Sequence, residues 1–233
     1  MKALFITGTD TDAGKTAFSC ALVGRARGAG RSIAALKPVE SGCMSELGAL
    51  RGADASRLQA ASGSTRRNCH YHYAQPLAPG VAAQTEGNEV DLHELVGWTH
   101  EELGMAELGL VEGAGGWEVP LSADARISTF AKALELPVLV VGRAGLGTIN
   151  HTILSLRAIA ADGCVIAGFG LSETSPIDPA RRASNATEIE RLATEHGIHA
   201  PYWGVLRHRA AHDGDAGAGL ELTQVAVNWL AQL

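Results

Sequence analysis

The chain has 233 residues, 46 % of them hydrophobic and 19 % charged, with a formal net charge of −6. That is the composition of a soluble globular protein able to bury a full core as one α/β domain over residues 1–233. The acidic balance leaves no basic footprint for nucleic acid or an anionic membrane, so small molecules and other protein chains are the expected partners.

Cys20, Cys43, Cys69 and Cys164 are scattered with no C-x-x-C pair, which argues against a zinc knuckle or a disulfide scaffold and fits a reducing cytoplasm. The first residues read as a strand rather than a targeting segment, and no apolar run is long enough to span a bilayer.

The apolar run Ala3 to Thr7 leads straight into Gly8 Thr9 Asp10 Thr11 Asp12 Ala13 Gly14 Lys15 Thr16. A buried strand that ends in such a loop and opens a helix aims backbone N–H groups and a positive helix end at one point, where a polyphosphate belongs. Lys15 is placed to reach the terminal phosphates and Thr16 to put its hydroxyl on Mg²⁺. Five residues separate Gly8 from Gly14, one more than in the usual phosphate-loop pattern.

Ala17 to Arg27 then reads as a helix stopped by Gly28 and Gly30, and Ser32 to Leu36 as a strand ending in Lys37 Pro38 Val39 Glu40 Ser41 Gly42. The C-terminal end of a strand beside a phosphate loop is where open α/β sheets bind ligands, so Lys37 can face the same phosphates as Lys15. Taken alone, a lysine after a strand is more often a solvated charge. Asp54 opens the next helix, where it can serve as an N-cap, a metal ligand or both.

Ser62 to Glu89 reads as a long connection with at most short helical pieces, with His70 and His72 on the loop surface. Asp91 to Leu103 has a helical apolar pattern, and Leu108 to Val111 is a short strand running into Glu112 Gly113 Ala114 Gly115 Gly116. An acidic residue there can hold Mg²⁺ as a Walker B carboxylate does, and the glycines would let backbone approach a ligand. The alternative is a tight turn without a ligand.

Arg126 to Leu134 is expected as a helix and Pro137 to Val141 as a buried strand, followed by a glycine loop and a helix capped by Thr148 that runs to Ala161. That helix N-terminus is a further anion site, for a carboxylate or a phosphate. Cys164 to Leu171 reads as a strand, Asp178 to His196 as a helix, Tyr202 to Leu206 as a strand, Ala210 to Gly219 as a surface loop and Thr223 to Leu230 as a closing helix. Strand alternating with helix predicts a mostly parallel sheet with helices on both faces.

GTDTDAGKT at Gly8 to Thr16, KPVESG at Lys37 to Gly42 and VEGAGG at Val111 to Gly116 together resemble dethiobiotin synthetases. The resemblance extends through LGTINH at Leu146 to His151 and covers most of the chain in the family's order. It implies a P-loop NTPase fold, a homodimer and the penultimate step of biotin synthesis. In that step 7,8-diaminopelargonic acid, CO₂ and MgATP give dethiobiotin, ADP and phosphate through a carbamate and a carbamic-phosphoric anhydride.

The resemblance also implies roles. Lys15 and Lys37 would be catalytic, and Asp12, Ala13, Gly14, Lys15, Thr16 and Ala17 would hold the nucleotide, together with Asp54 and the stretch Glu112, Gly113, Ala114, Gly115. Thr16, Asp54 and Glu112 would hold Mg²⁺. Thr11, Lys37 and Ser41 would contact the diamine or carbamate, and Gly147, Thr148, Ile149 and Asn150 would reach across the dimer to bind the substrate carboxylate of the neighbouring subunit.

Base recognition would fall to Ser172, Glu173, Leu206 and Arg207, and here the chain departs from the family. Ser172 Glu173 replaces a common Asn-Asp, and Gly204 Val205 Leu206 Arg207 replaces Gly-x-Ile-Pro. A serine lacks the paired donor and acceptor of an amide, so weaker discrimination for ATP over other triphosphates is expected.

Three rival readings share the phosphate loop. A nucleotide-driven switch would carry a signature lysine where this chain has Asp10, and has no use for KPVESG. An amide-forming ligase of related fold would add a glutaminase domain, for which there is no room. A protein that had lost its chemistry would have little reason to keep Lys15, Lys37, Asp54 and Glu112 together.

Overall fold

The computed structural model describes residues 2–208 and 219–231. The stretch 209–218 lies outside the described residues, and with it most of the surface loop expected from residue 210 and most of the segment 207–212, whose sequence is rich in His and Arg.

In chain order the elements are β1 (Lys2–Gly8), α1 (Lys15–Gly28), β2 (Ile33–Leu36), β3 (Val39–Glu40), β4 (Met44–Glu46), β5 (Ala49–Arg51), α2 (Ala53–Ser62) and β6 (Tyr71–His72). They continue with α3 (Pro79–Glu86), α4 (Leu92–Leu103), β7 (Leu108–Gly116), α5 (Ile127–Leu134), β8 (Val138–Arg143), α6 (Thr148–Ala161) and β9 (Ile166–Ser172). Last come α7 (Pro179–Glu195), β10 (Tyr202–Leu206), β11 (Leu220–Leu222) and α8 (Gln224–Ala231).

The main sheet has seven strands in the order β11-β10-β9-β8-β1-β7-β2. All neighbours are parallel except β10 and β11. β1 sits between β7 and β8 and is buried from Ala3 to Gly8, as a strand covered on both faces must be. Alternation sends Phe5 into one core layer with α4, α5, α6 and α7, and Leu4 and Ile6 into the other with α1, α2 and α8. This is an α/β P-loop fold with helices on both faces.

The parallel register sets Ile6 beside Glu112 on one side and beside Leu139 on the other. The carboxylate of β7 therefore stands next to the point where β1 becomes the phosphate loop. Expected and observed elements differ in four places. β7 does not stop at Val111 but continues through Glu112 to Gly116, so the glycines are strand rather than turn. The N-cap of α6 is Gly147 at φ 94°, with Thr148 already inside the helix, because a left-handed cap residue favours glycine.

The third difference is β4 and β5, an antiparallel hairpin turned by Leu47 and Gly48 at positive φ, which has too little periodicity to be read from sequence. The fourth is at His70 and His72. His72 lies half-buried in β6, paired with Glu40 of β3, while His70 meets Glu94 at 3.0 Å and packs on Trp98. Neither is plain loop surface. Among the described residues no helix is long and apolar enough to cross a membrane.

Candidate active site

Gly14 ends the phosphate loop at φ 90°, a conformation that favours glycine, and a Cβ there would fall 2.2 Å from Ser172 Oγ. The next residue, Lys15, opens α1, whose first turn holds no acidic side chain to compete for its N-terminus. Lys15 Nζ donates to Asp10 O at 3.0 Å, and Asp10 in turn accepts from Thr11 N at 2.8 Å and meets Arg143 at 3.4 Å. The lysine thus lies folded along its own loop. Burial and the neighbouring Lys37 bring its ammonium down to about 8.

The next group is held by three elements. Glu112 Oε1, from β7, accepts from Thr16 Oγ1 of α1 at 2.7 Å and from Lys37 Nζ at 2.9 Å. Lys37, which follows β2, also donates to Gly113 O at 3.0 Å and meets Asp54 Oδ2 of α2 at 3.2 Å. Lys37 and Glu112 are both buried. Burial alone would lower the Lys37 pKa, but Glu112 and Asp54 outweigh it and hold the ammonium charged. Burial would raise Asp54, and Lys37 together with a hydrogen bond from Thr16 keeps it below its usual value.

Asp54 is not the N-cap of α2; that position is Gly52, which has no side chain to offer. The cap is supplied by Glu40, whose Oε1 accepts from Asp54 N at 2.8 Å and whose Oε2 accepts from Ala55 N at 2.9 Å. Asp54 is thereby left free to face Lys37.

Lys15, Thr16, Lys37 and Asp54 border a cavity of about 700 Å³, a size suited to a small-molecule site, while Glu112 is fully buried against Thr16 and Lys37 and does not line it. Thr11, Asp12, Gly14, Lys15, Thr16 and Ala17 line it from the loop and α1; Lys37, Ser41 and Asp54 from the opposite wall; Ala114 and Gly115 from β7. Ser41 Oγ donates to Leu77 O at 2.6 Å. Ala13 is buried behind the loop. Two further wall residues, Glu40 and Arg57, had no assigned role in the sequence reading. Arg57 stands three residues after Asp54 on a helix, a spacing that puts both on one face.

The remaining candidates lie elsewhere. Gly147, Thr148, Ile149 and Asn150 form the start of α6 and do not border the cavity, and Leu146 beside them is fully exposed. Ser172 is buried against the loop side of Gly14. Glu173 is engaged on all sides: its carboxylate pairs with Arg182 and accepts from His208 N at 2.9 Å, and its own N–H donates to Leu206 O at 2.9 Å. Arg207 is drawn to Glu221 of β11 at 3.1 Å.

Whether the site suits Mg²⁺ can be judged from its donors. Glu112 Oε2 is buried with no hydrogen-bond partner, and Thr16 and Asp54 add two more oxygens beside it. Among the described residues there is no cluster of three or more His, Cys, Asp or Glu able to cage a metal alone. A small oxygen-only set that leaves coordination places for water and phosphate is what Mg²⁺ requires, so the residues fit it.

A family model described as an AAA domain matches residues 2–195. The ATP-dependent dethiobiotin synthetase BioD of Anaeromyxobacter dehalogenans is 46 % identical over 195 residues, 82 % of this chain and 86 % of that protein. That of Chromohalobacter salexigens is 41 % identical over 229 residues, 94 % of each chain. Among solved structures, chloroplast FtsY from Physcomitrella patens superposes with a TM-score of 0.52 at 17 % identity. This chain covers 98 % of itself in that match and spans 64 % of FtsY, a likeness of fold alone.

Proposed function

The chain belongs to the dethiobiotin synthetase family, and from that premise we propose that its cavity carries out ring closure of 7,8-diaminopelargonic acid with CO₂ and MgATP. The products are dethiobiotin, ADP and phosphate. The observation that supports this most is the convergence of two lysines, Lys15 and Lys37, with Thr16 and Asp54 at one cavity, and with Glu112 buried against Thr16 and Lys37.

A substrate amine and CO₂ form a carbamate, one of whose oxygens attacks the γ-phosphorus of ATP as ADP leaves. The second amine then attacks the resulting mixed anhydride at carbon, expelling phosphate and closing the urea. Phosphoryl transfer between two anions calls for positive charge and fixed geometry rather than a protein nucleophile. Lys15 leaves the Asp10 carbonyl for the β and γ phosphates, and the N–H groups from Asp12 to Thr16 orient the same phosphates. Lys37 turns from its two carboxylates toward the carbamate and the transferring group, with Thr11 and Ser41 beside the substrate.

Thr16, Asp54 and Glu112 would hold Mg²⁺, which when bound supplies charge neutralisation between phosphate oxygens. The chain acts as a single domain in a cytoplasmic homodimer. Gly147 to Asn150 reach the partner's substrate carboxylate, a role consistent with their lying outside the cavity of their own chain.

The test is ADP release with MgATP and bicarbonate, with and without the diamine, followed by product mass. Diamine-dependent release with a dethiobiotin mass is expected. Hydrolysis indifferent to the diamine would refute the reading.

A further inference from the structure

Glu40 is a carboxylate in the cavity wall that the proposed chemistry does not use. It ends β3, three residues after Lys37, and its side chain is buried. Its two oxygens accept the N–H groups of Asp54 and Ala55 at 2.8 and 2.9 Å. These amides belong to the first turn of α2, where no carbonyl of the helix itself can reach them. A serine, threonine or aspartate at the N-cap would ordinarily serve them.

Here the N-cap is Gly52, in an extended conformation at φ −84° and ψ 137° that any residue adopts. Its glycine is explained by space: a Cβ at Gly52 would lie 2.0 Å from Glu40 Oε2 and 2.2 Å from Glu40 Cδ. The carboxylate fills the place of the missing side chain. The cap of α2 therefore comes from the strand segment that carries Lys37, and it grips the helix at Asp54 itself.

We propose that Glu40 is a positioning residue, which by capping α2 from β3 sets Asp54 at the distance from Lys37 and Thr16 that binding of a nucleotide-bound divalent cation requires. The inference rests on the metal role proposed for Asp54. Glu40 touches neither substrate nor metal; it acts through the backbone of the residue that does. An aspartate whose own amide is tied down has less freedom to lose when it takes a ligand.

The experiment uses Glu40→Ala, Gly52→Ser and the double variant, read by Mn²⁺ binding in the presence of ATP and by amide hydrogen exchange at Asp54 and Ala55. Glu40→Ala is expected to weaken Mn²⁺ binding by roughly tenfold, as loss of an outer-shell partner does, and to speed exchange at the two amides about fivefold. Gly52→Ser alone displaces the Glu40 carboxylate and is also expected to weaken binding. In the double variant the serine hydroxyl caps the helix in the space that Glu40 vacated, so both readouts return toward wild type.

Wild-type Mn²⁺ affinity in Glu40→Ala would overturn the inference. So would a double variant as impaired as Glu40→Ala, because Glu40 would then act through its charge rather than as a cap. If Glu40→Ala does not fold, Glu40→Gln takes its place. It keeps the volume but one acceptor only, and must show an intermediate loss; unchanged exchange in it overturns the proposal. A wild-type protein that takes up no Mn²⁺ with ATP would count against the proposed metal site instead, and the exchange rates would then decide whether Glu40 caps α2.

Discussion

At the scale of the residue, Lys15 and Lys37 are both buried, yet their neighbours treat them differently. Lys37 meets Glu112 at 2.9 Å and Asp54 at 3.2 Å and stays charged, whereas Lys15 has only a backbone carbonyl and is brought to about 8 by burial and by Lys37. In the free protein Lys15 is charged below that pH and neutral above it. Bound phosphates favour the ammonium, so triphosphate binding takes up a proton when the pH exceeds 8. Affinity then falls by roughly tenfold per pH unit. Calorimetry at pH 9 in buffers of different ionisation enthalpy should show uptake of about one proton; no uptake would mean that Lys15 is charged throughout.

Lys37→Met keeps the length of the side chain and removes its charge, leaving Glu112 and Asp54 facing one another uncompensated. Because Asp54 is partly solvated, a loss of about 3 kcal/mol in the ligand-free protein is expected, at the lower end for breaking a buried pair. The rate of dethiobiotin formation should drop by about 10² to 10³, the usual size for losing one charge stabiliser. Denaturant unfolding and single-turnover rates measure the two effects separately. A variant as active as wild type would remove Lys37 from the mechanism.

At the scale of the element, α1 and β9 meet where the phosphate loop turns. Gly14 lies against Ser172, so the residue expected from the sequence to meet the base is packed behind the loop. Glu173 beside it is held by Arg182 and by the backbone of His208. A serine so placed offers a base less than an amide would. Relative kcat/KM for ATP, CTP and GTP should therefore lie within about tenfold of one another, the loss of one good hydrogen bond. A much stronger preference for ATP would show that other groups read the base.

At the scale of the molecule, the cavity is lined by one chain and the start of α6 does not border it, while Leu146 before that helix is fully exposed and Leu154 within it half-exposed. An exposed apolar pair beside the expected carboxylate-binding stretch suits an interface between two copies. Leu154→Arg, remote from Lys37, should lower the sedimentation mass toward that of a monomer and weaken diamine binding at least tenfold, while ATP binding changes little. Unchanged diamine affinity in a monomeric variant would rule out a composite site.

Much of this was legible before any coordinates. The phosphate loop could be read because strand, glycine turn and helix are contiguous, and Lys15 and Thr16 take their places from spacing along one chain. The alternation of strands with helices likewise announced the parallel sheet, since each strand buried on both faces leaves a continuous apolar run. What could not be read were meetings between segments. Asp54 could be read as the cap of its own helix, as a metal ligand or as both, and only the approach of β3 shows that Glu40 takes the capping place and leaves Asp54 to Lys37. The glycines after Glu112 could be read as a tight turn, yet β7 continues through them, and its register against β1 sets Glu112 beside Ile6. Thr148 looked like a cap because a side chain's local chemistry can be read from sequence, whereas the left-handed backbone of Gly147 cannot.

The sequence by itself thus determined the class of fold, the family and the identity of the charged groups, because these depend on local periodicity and contiguous motifs. The tertiary structure alone decided which carboxylate holds a helix, which faces a lysine and which residues are packed away from the cavity. Those outcomes depend on the distance between atoms far apart in the chain, and hydrogen bonds and charges act through that distance.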